Sequence, residues 1–138
     1  MTALTSDRQV LEKGLGLRFL PVAAGAVLHS GSIAVLNANG YVQAATTATG
    51  LVAVGRSNWA VNNSQGANGA VNVQVQAGPT AYAYNNATGA DAITQAAIGS
   101  TAYLVDDQTV ALTNGNNTRS PAGRVFDVDA NGVWILFS

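Results

Sequence analysis

The sequence predicts an all-β fold, a small barrel or sandwich, and two features support that prediction. Apolar and polar residues alternate with the period of a strand, most clearly where Val71, Val73 and Val75 are interleaved with Asn and Gln. The pairs Asn39-Gly40 and Asn131-Gly132 separate apolar runs, as in hairpins, because both residue types tolerate a positive φ angle. Many short strands punctuated by such turns are typical of a barrel or a sandwich.

The remaining strands are predicted from short runs rich in Val, Ile and aromatic residues, which favour extended backbone. A third hairpin is predicted around Asp106-Asp107, between two such runs. Only residues 91–98 also fit a short helix, and their spacing agrees equally well with irregular backbone. The predicted strands are residues 33–36, 41–44, 51–54, 58–61, 71–76, 81–84, 103–105, 110–112, 124–128 and 133–137.

The N-terminal segment differs in composition from the rest of the chain. Residues 1–18 contain five of the thirteen charged residues, whereas residues 57–90 contain none. We therefore interpret residues 1–18 as an arm and residues 19–138 as a single β domain. A short helix is predicted near residues 7–13, ending at Gly14 and Gly16.

Charged residues are scarce overall. Only 9% of the 138 residues are Asp, Glu, Lys or Arg, against about 25% in a typical soluble domain. A net charge of −1 argues against nucleic-acid binding, which requires a clustered basic face. No apolar run approaches the ~18 residues of a membrane-spanning helix. The N-terminal residues contain no apolar signal-peptide core, so we expect the protein to be synthesised in a cytoplasm without export. A surface with so little charge predicts contact with sister copies or a larger assembly.

No set of residues has the spacing of a catalytic or metal site. His29 precedes Ser30, but neighbours on a strand point to opposite faces, which is the wrong geometry for a nucleophile and its base. Residues 127–132 resemble the first half of a calcium loop, but the position of its bidentate Glu falls on Ser138, so a hairpin turn is favoured. A hairpin is also favoured over an acid–base pair for Asp106-Asp107. We predict that the protein is not an enzyme and holds no cofactor or metal.

Several stretches of the sequence have a recognisable order and spacing. They are FLPVAAG at 19–25, GSIAVLNANGY at 31–41, TGLVAVGR at 49–56, IG at 98–99, YLVDDQTVA at 103–111, TRSPAGRV at 118–125, and DVD at 127–129 leading to GVW at 132–134. These stretches resemble a family of head proteins of tailed phages and prophages, the capsid decoration, or cement, proteins, which are usually encoded near the major capsid protein. The resemblance extends from about Leu4 to Phe137.

The resemblance implies a compact β-barrel or β-tulip domain, commonly a homotrimer, seated on the outer capsid surface at local three-fold positions. It implies that the partners are the major capsid protein and sister copies, with no cofactor, nucleic acid or membrane, and that the protein is located on the virion. The alternative is another virion module, such as a tail or fibre component or a carbohydrate-binding domain. A sugar platform would be formed by aromatic residues, although packing in the core or at subunit interfaces is favoured for them; they are Tyr41, Trp59, Tyr82, Tyr84 and Trp134.

The arm is the predicted contact element, with charges that set the register and apolar side chains that act as anchors. The alternative is that the arm packs on its own barrel. The residues predicted to contact the capsid or a neighbouring subunit are Leu4, Arg8, Val10, Leu11, Lys13, Leu15, Leu17, Arg18 and Trp59.

Overall fold

The computed structural model describes residues 2–137, which contain twelve strands and two single-turn 3₁₀ helices. The 3₁₀ helices are Gly89–Asp91 and Gln95–Ala97. The strands are β1 (Leu17–Pro21), β2 (Val27–Leu28), β3 (Ile33–Leu36), β4 (Val42–Ala44), β5 (Val52–Ser57), β6 (Val61–Asn62), β7 (Asn72–Gln76), β8 (Tyr82–Asn86), β9 (Thr101–Leu104), β10 (Thr109–Ala111), β11 (Pro121–Asp129) and β12 (Gly132–Leu136).

The strands form a five-stranded sheet, a closed five-stranded barrel and a two-stranded ribbon. The sheet has the order β1-β7-β5-β3-β4 and is antiparallel throughout. The barrel closes in the order β10-β8-β12-β11-β9, with one parallel pair between β10 and β8. Strands β2 and β6 form the ribbon. The all-β prediction is confirmed, and β1 lies at one edge of the sheet.

Two apolar cores meet at strand β3. Its side chains Ile33 and Val35 pack into the core that fills the barrel. Ala34, on the opposite face of the same strand, packs into a second core with Val73 and Val75 of β7. Strand β3 is therefore buried on both faces, which explains why it is a continuous apolar run instead of an alternating one.

The sheet and the barrel are also linked by polar contacts. The Ser120 hydroxyl donates to the carbonyl of Ala48 at 2.7 Å and accepts the backbone N–H of Leu51 at 3.0 Å. The guanidinium carbon of Arg56, on β5, lies 4.6 Å from the ring centroid of Tyr82, on β8. These contacts hold the sheet and the barrel around the core that they share.

The three predicted hairpins are confirmed. The turn that contains Asn39-Gly40 connects β3 to β4, and Gly40 has a φ of +83°, which a residue with a Cβ rarely adopts. Asp106-Asp107 lies in the turn between β9 and β10. Strands β11 and β12 pair from Asp129 opposite Gly132 onward, so that the turn itself is formed by the two residues between them.

Two local predictions, the helix at 7–13 and the strand at 58–61, are wrong, and the alternative left open at 91–98 is decided against a single helix. Residues 2–16 have no regular secondary structure, so the helix at 7–13 is absent, in agreement with the marginal stability of a helix of two turns that has no packing partner. Residues 91–98 do not form one helix: Asp91 is the last residue of the first 3₁₀ helix, and Gln95–Ala97 form the second. The strand predicted at 58–61 is only Val61–Asn62. Strand β1 begins at Leu17, two residues before the predicted start of the β domain at residue 19. The terminal residues Met1 and Ser138 lie outside the described residues.

Candidate interaction surface

The arm lies free of the β domain. All side chains of residues 2–15 are exposed, and among them Leu11 is 96% and Leu15 is 90% exposed. Leu4 and Val10 are exposed in the same way. Residues 2–12 of the arm therefore do not pack on the barrel of the same chain, and their apolar side chains are available to a partner.

The charged residues of the arm are equally exposed. Arg8 and Lys13 are exposed, as are the carboxylates of Asp7 and Glu12. Within residues 2–137 the one ion pair joins Arg119 to Asp91, far from the arm in sequence. The charges of the arm thus have no ionic partner in the described part of the chain.

The structure assigns different surroundings to the two predicted contact residues of strand β1. Leu17 is exposed, as the prediction requires. Arg18 is half-buried, and its Nη2 donates to the carbonyl of Val54 at 3.0 Å. Arg18 therefore fastens the start of β1 to the sheet, which leaves less of its side chain for a partner.

An exposed aromatic pair continues the apolar surface of the arm. The ring centroids of Phe19 and Trp59 are 5.7 Å apart at an interplanar angle of 57°. Both side chains are exposed, whereas Leu20, next to Phe19 on β1, packs against the sheet core. Sequence reasoning selected Trp59 but missed Phe19, although the alternation of Leu15, Leu17 and Phe19 is the pattern of a strand with one face to be covered.

A network of side-chain amides holds the segment that presents Trp59. The Arg56 Nη2 donates to Asn58 Oδ1 at 2.7 Å, and Asn58 Nδ2 donates to Gln74 Oε1 at 2.8 Å and to Gln76 Oε1 at 3.2 Å. The hydroxyl of Ser57 donates to the carbonyl of Trp59 at 2.7 Å. The aromatic pair is therefore supported by fixed polar contacts.

An apolar cleft opens where the arm joins the domain, and we call it the arm-root cleft. It has a volume of about 780 Å³ and lies between the root of the arm, the connection from β7 to β8, and the end of β12. Its apolar walls are formed by Leu15, Ala77, Pro79, Leu136 and Phe137, and the basic residues Lys13 and Arg18 also line it. A cleft of this size is large enough to enclose several apolar side chains.

A second, polar pocket brings together residues that are distant in sequence. His29, Ser30 and Asp107 all line a pocket of about 470 Å³. The hydroxyl of Ser30 donates to the carbonyl of Asn58 at 3.3 Å, and no hydrogen bond joins Ser30 to His29 or Asp107 among the described residues. Tyr84, also in the lining, is buried and donates to the Gly31 carbonyl at 3.1 Å.

The polar pocket contains a buried tyrosine and a hydrogen-bonded serine. Burial raises the pKa of Tyr84 far above its usual value, so its hydroxyl is a neutral donor at any physiological pH. His29 lines the same pocket as Ser30, but within residues 2–137 the serine hydroxyl is hydrogen-bonded to the Asn58 carbonyl and not to the imidazole. The residues of the pocket are arranged to stabilise the backbone between β2 and β3.

The remaining acidic residues have structural partners. Asp91 accepts from the Thr113 hydroxyl at 2.6 Å and pairs with Arg119 at 2.9 Å, and these hydrogen bonds, that of Thr113 first, lower its pKa. Asp129 accepts the backbone N–H of Asn131 at 2.8 Å in the β11–β12 turn. No group of three or more His, Cys, Asp or Glu side chains within residues 2–137 is placed to hold a metal ion.

The aromatic residues considered for a sugar platform are not assembled into one. Tyr84 is buried, and Tyr82 and Tyr84 both lie near Phe137, with centroid distances of 6.2 Å and 6.0 Å. Trp134 is half-buried on β12, in the middle of the strand. Of this set, Trp59 belongs instead to the exposed pair with Phe19.

Comparison of the chain with protein-family models, with curated proteins and with solved structures gives no match. Neither 3₁₀ helix nor any other helical segment within residues 2–137 is long and apolar enough to cross a membrane. The functional argument therefore rests on the surfaces described above.

Proposed function

We propose that this protein is a capsid decoration protein of a tailed phage or prophage, which binds the outer surface of the assembled head as a homotrimer and stabilises the shell. The partners of the proposal are the major capsid protein and sister copies of the chain. The observation that supports it most directly is the apolar arm, whose leucines are exposed in the isolated chain. Such side chains are stabilised only when a neighbour in an assembly covers them.

The composition of the domain supports the same proposal. With 9% charged residues, the domain has few of the charges that normally prevent protein surfaces from associating. Strand β1 is an edge strand that is bridged to β4 just past its end, at Val22, and it carries Phe19 of the exposed Phe19–Trp59 pair. Edge strands and apolar faces of this kind favour contact with other chains.

The proposed mechanism is binding without a reaction. A trimer that touches several lattice subunits binds only where those subunits are correctly spaced, so binding stabilises the assembled lattice by mass action. Three linked contacts also raise the effective concentration of one another, so each contact can be individually weak. A domain with two apolar cores that meet at strand β3, and with little charge, provides a rigid body for such a bridge.

The test is co-sedimentation of the purified chain with empty, expanded shells assembled from the major capsid protein of the same phage. We expect saturable binding to the shells and resistance of decorated shells to a higher temperature or denaturant concentration than bare shells. A chain that stays in the supernatant at tens of micromolar, with shells of normal stability, would contradict the proposal. Unexpanded precursor shells serve as the control and should bind less.

The exposed aromatic pair favours a second candidate, a carbohydrate-binding module on the virion. Phe19 and Trp59 lie beside fixed carboxamide side chains, a combination that can stack on a sugar ring and hydrogen-bond its hydroxyls. Titration with host-surface glycans, monitored by Trp fluorescence, separates the candidates. Saturable glycan binding that is lost in Trp59→Ala, without shell binding, would favour this alternative.

A further inference from the structure

The arm and the arm-root cleft are complementary surfaces of the same chain. The arm presents Val10 and Leu11, both exposed, and the cleft presents apolar walls that include Pro79 and Leu136. In an isolated copy both surfaces face water. Each copy of the chain therefore supplies one half of an apolar contact and needs the other half from elsewhere.

The two surfaces also carry opposite charges that can meet. Among residues 2–137, those that line the cleft include the basic side chains Lys13 and Arg18 and no side-chain carboxylate. In the arm, Asp7 and Glu12 lie on either side of Val10 and Leu11, each next to a basic residue, Arg8 or Lys13. An arm that enters the cleft with its apolar pair would bring its carboxylates towards the basic rim.

The exposed arm gives the chain more surface than a compact monomer. The accessible surface is 8129 Å², whereas the size-scaling rule gives about 6,700 Å² for a compact monomer of this mass. The excess of roughly 1,400 Å² reflects the exposed residues 2–15, whose apolar side chains are available to a partner.

The geometry favours the cleft of a neighbour over the cleft of the same chain. Residues 13–16 form part of the wall of the cleft. Val10 and Leu11 therefore lie only two or three residues before this wall along the chain. To enter their own cleft they would have to reverse direction within Glu12 and Lys13. Fully extended, residues 2–12 span roughly 36 Å, which exceeds the ~14 Å radius of gyration of a domain of this length.

We propose that the arm of one copy lies in the arm-root cleft of a second copy, with Leu11 in the apolar part of the cleft and Glu12 at its basic rim. This inference deepens the proposed function and rests on its premise that the chain works as an assembly of copies. The contact is heterologous, because the arm of one copy meets a different surface on the next. Heterologous contacts close into a ring or continue as an open filament, and the proposed homotrimer requires the ring of three copies.

Disulfide trapping tests this contact, because the chain contains no cysteine. The double variant Leu11→Cys/Thr80→Cys places one thiol on the arm and one on the exposed residue Thr80, which lines the cleft. Mild oxidation with copper(II) phenanthroline should give covalent dimers and trimers on a non-reducing gel, with the trimer as the largest species. A mixture of the two single variants should give a covalent heterodimer.

The control uses a cysteine at the end of strand β12 that lies away from the cleft. Asn131 lies in the turn before β12, whereas Leu136, at the end of β12, lines the cleft. Five residues of strand separate them by about 16 Å. The double variant Leu11→Cys/Asn131→Cys should therefore remain monomeric on the same gel.

Two results would overturn the inference. A monomer with an internal disulfide in Leu11→Cys/Thr80→Cys would place the arm in its own cleft. Absence of any cross-link from folded double and mixed single variants would show that arm and cleft do not meet. Light scattering on Leu11→Ser adds a measurement without cysteines, and we expect self-association to weaken about 10- to 150-fold.

Failure of this inference and failure of the proposed function are distinguishable. Loss of the cross-link with normal shell co-sedimentation would remove the arm–cleft contact and leave decoration intact. A normal cross-link in a chain that does not bind shells would remove decoration and leave the self-association.

Discussion

Replacing one leucine of the arm should weaken assembly without weakening the fold. Leu11 is 96% exposed, so Leu11→Ser removes almost no contact from the isolated chain. Full burial of a leucine side chain against a partner contributes about 1.5–3 kcal/mol. Because Leu11 is proposed to lie in the cleft of a neighbouring copy, self-association of the free chain should weaken about 10- to 150-fold. Since the homotrimer is the form proposed to bind shells, the concentration that half-saturates shells should rise with it, while Tm stays within about 1 °C of the wild-type value.

The assay for Leu11→Ser is quantitative co-sedimentation with expanded shells, together with thermal unfolding of the free chain. The matched control is Gln9→Ser, which changes an exposed polar residue of the same arm and should leave both measurements unchanged. The reasoning is refuted if Tm falls by several degrees, which would mean that the arm packs on its own domain. It is also refuted if Leu11→Ser saturates shells at the wild-type concentration.

Three further predictions concern the domain and its exposed pair. Ser120→Ala leaves the Ala48 carbonyl and the Leu51 N–H without their buried partner. We expect it to lower the free energy of unfolding by about 2–3 kcal/mol and Tm by roughly 6–10 °C. The control, Ser30→Ala at an exposed serine, should change Tm little, and equal shifts would contradict the role of Ser120. The pKa of Asp91 lies below its ordinary value of 3.8, so the ionised carboxylate stabilises the fold above that pH and this contribution is lost as the pH falls below it. The difference in Tm between wild type and Asp91→Asn should therefore shrink between pH 5 and pH 2. A constant difference would contradict a stabilising role of the ionised carboxylate. Phe19→Ser should weaken shell binding and leave the arm–cleft cross-link intact, and an unchanged binding curve would exclude this pair as a shell contact.

The local structure of the strands and turns was predictable because it depends on residues close together in sequence. The alternation around Val73 and Val75 correctly predicted a strand, and the structure places both valines in the core. The hairpins followed from residue types that tolerate the turn geometry, as at Gly40. The apolar run of β3 was predicted as a strand. Its burial on both faces was not predictable, because it depends on two cores that are formed by residues distant in the sequence.

The arrangement of the strands was not predictable from local patterns. Strand β1 pairs with β7 across more than fifty residues, and the parallel pair of β8 and β10 closes the barrel. Neither pairing is encoded by a turn between the two strands, and many other pairings would satisfy the same alternation. The helix predicted in the arm was wrong for a related reason, since propensity over seven residues is too weak without a packed face.

The candidate surface was predictable only in part. Composition separated the arm from the domain, and the structure leaves its apolar residues exposed. The arm-root cleft is assembled from residues 13–18, 77–80 and 136–137, which the chain brings together only after the barrel forms. Phe19 was missed because no strand was predicted over residues 17–21, so its alternation with the exposed Leu17 on one face of β1 was not recognised.

A cryo-EM map of expanded shells incubated with the purified chain tests the central claim most directly. The account predicts three-fold density of about the size of three 14.0 kDa domains on the outer surface at each local three-fold position, with the arms running between neighbouring copies. Shells whose outer surface carries no added density at saturating protein, under conditions in which the free chain is folded, would contradict it.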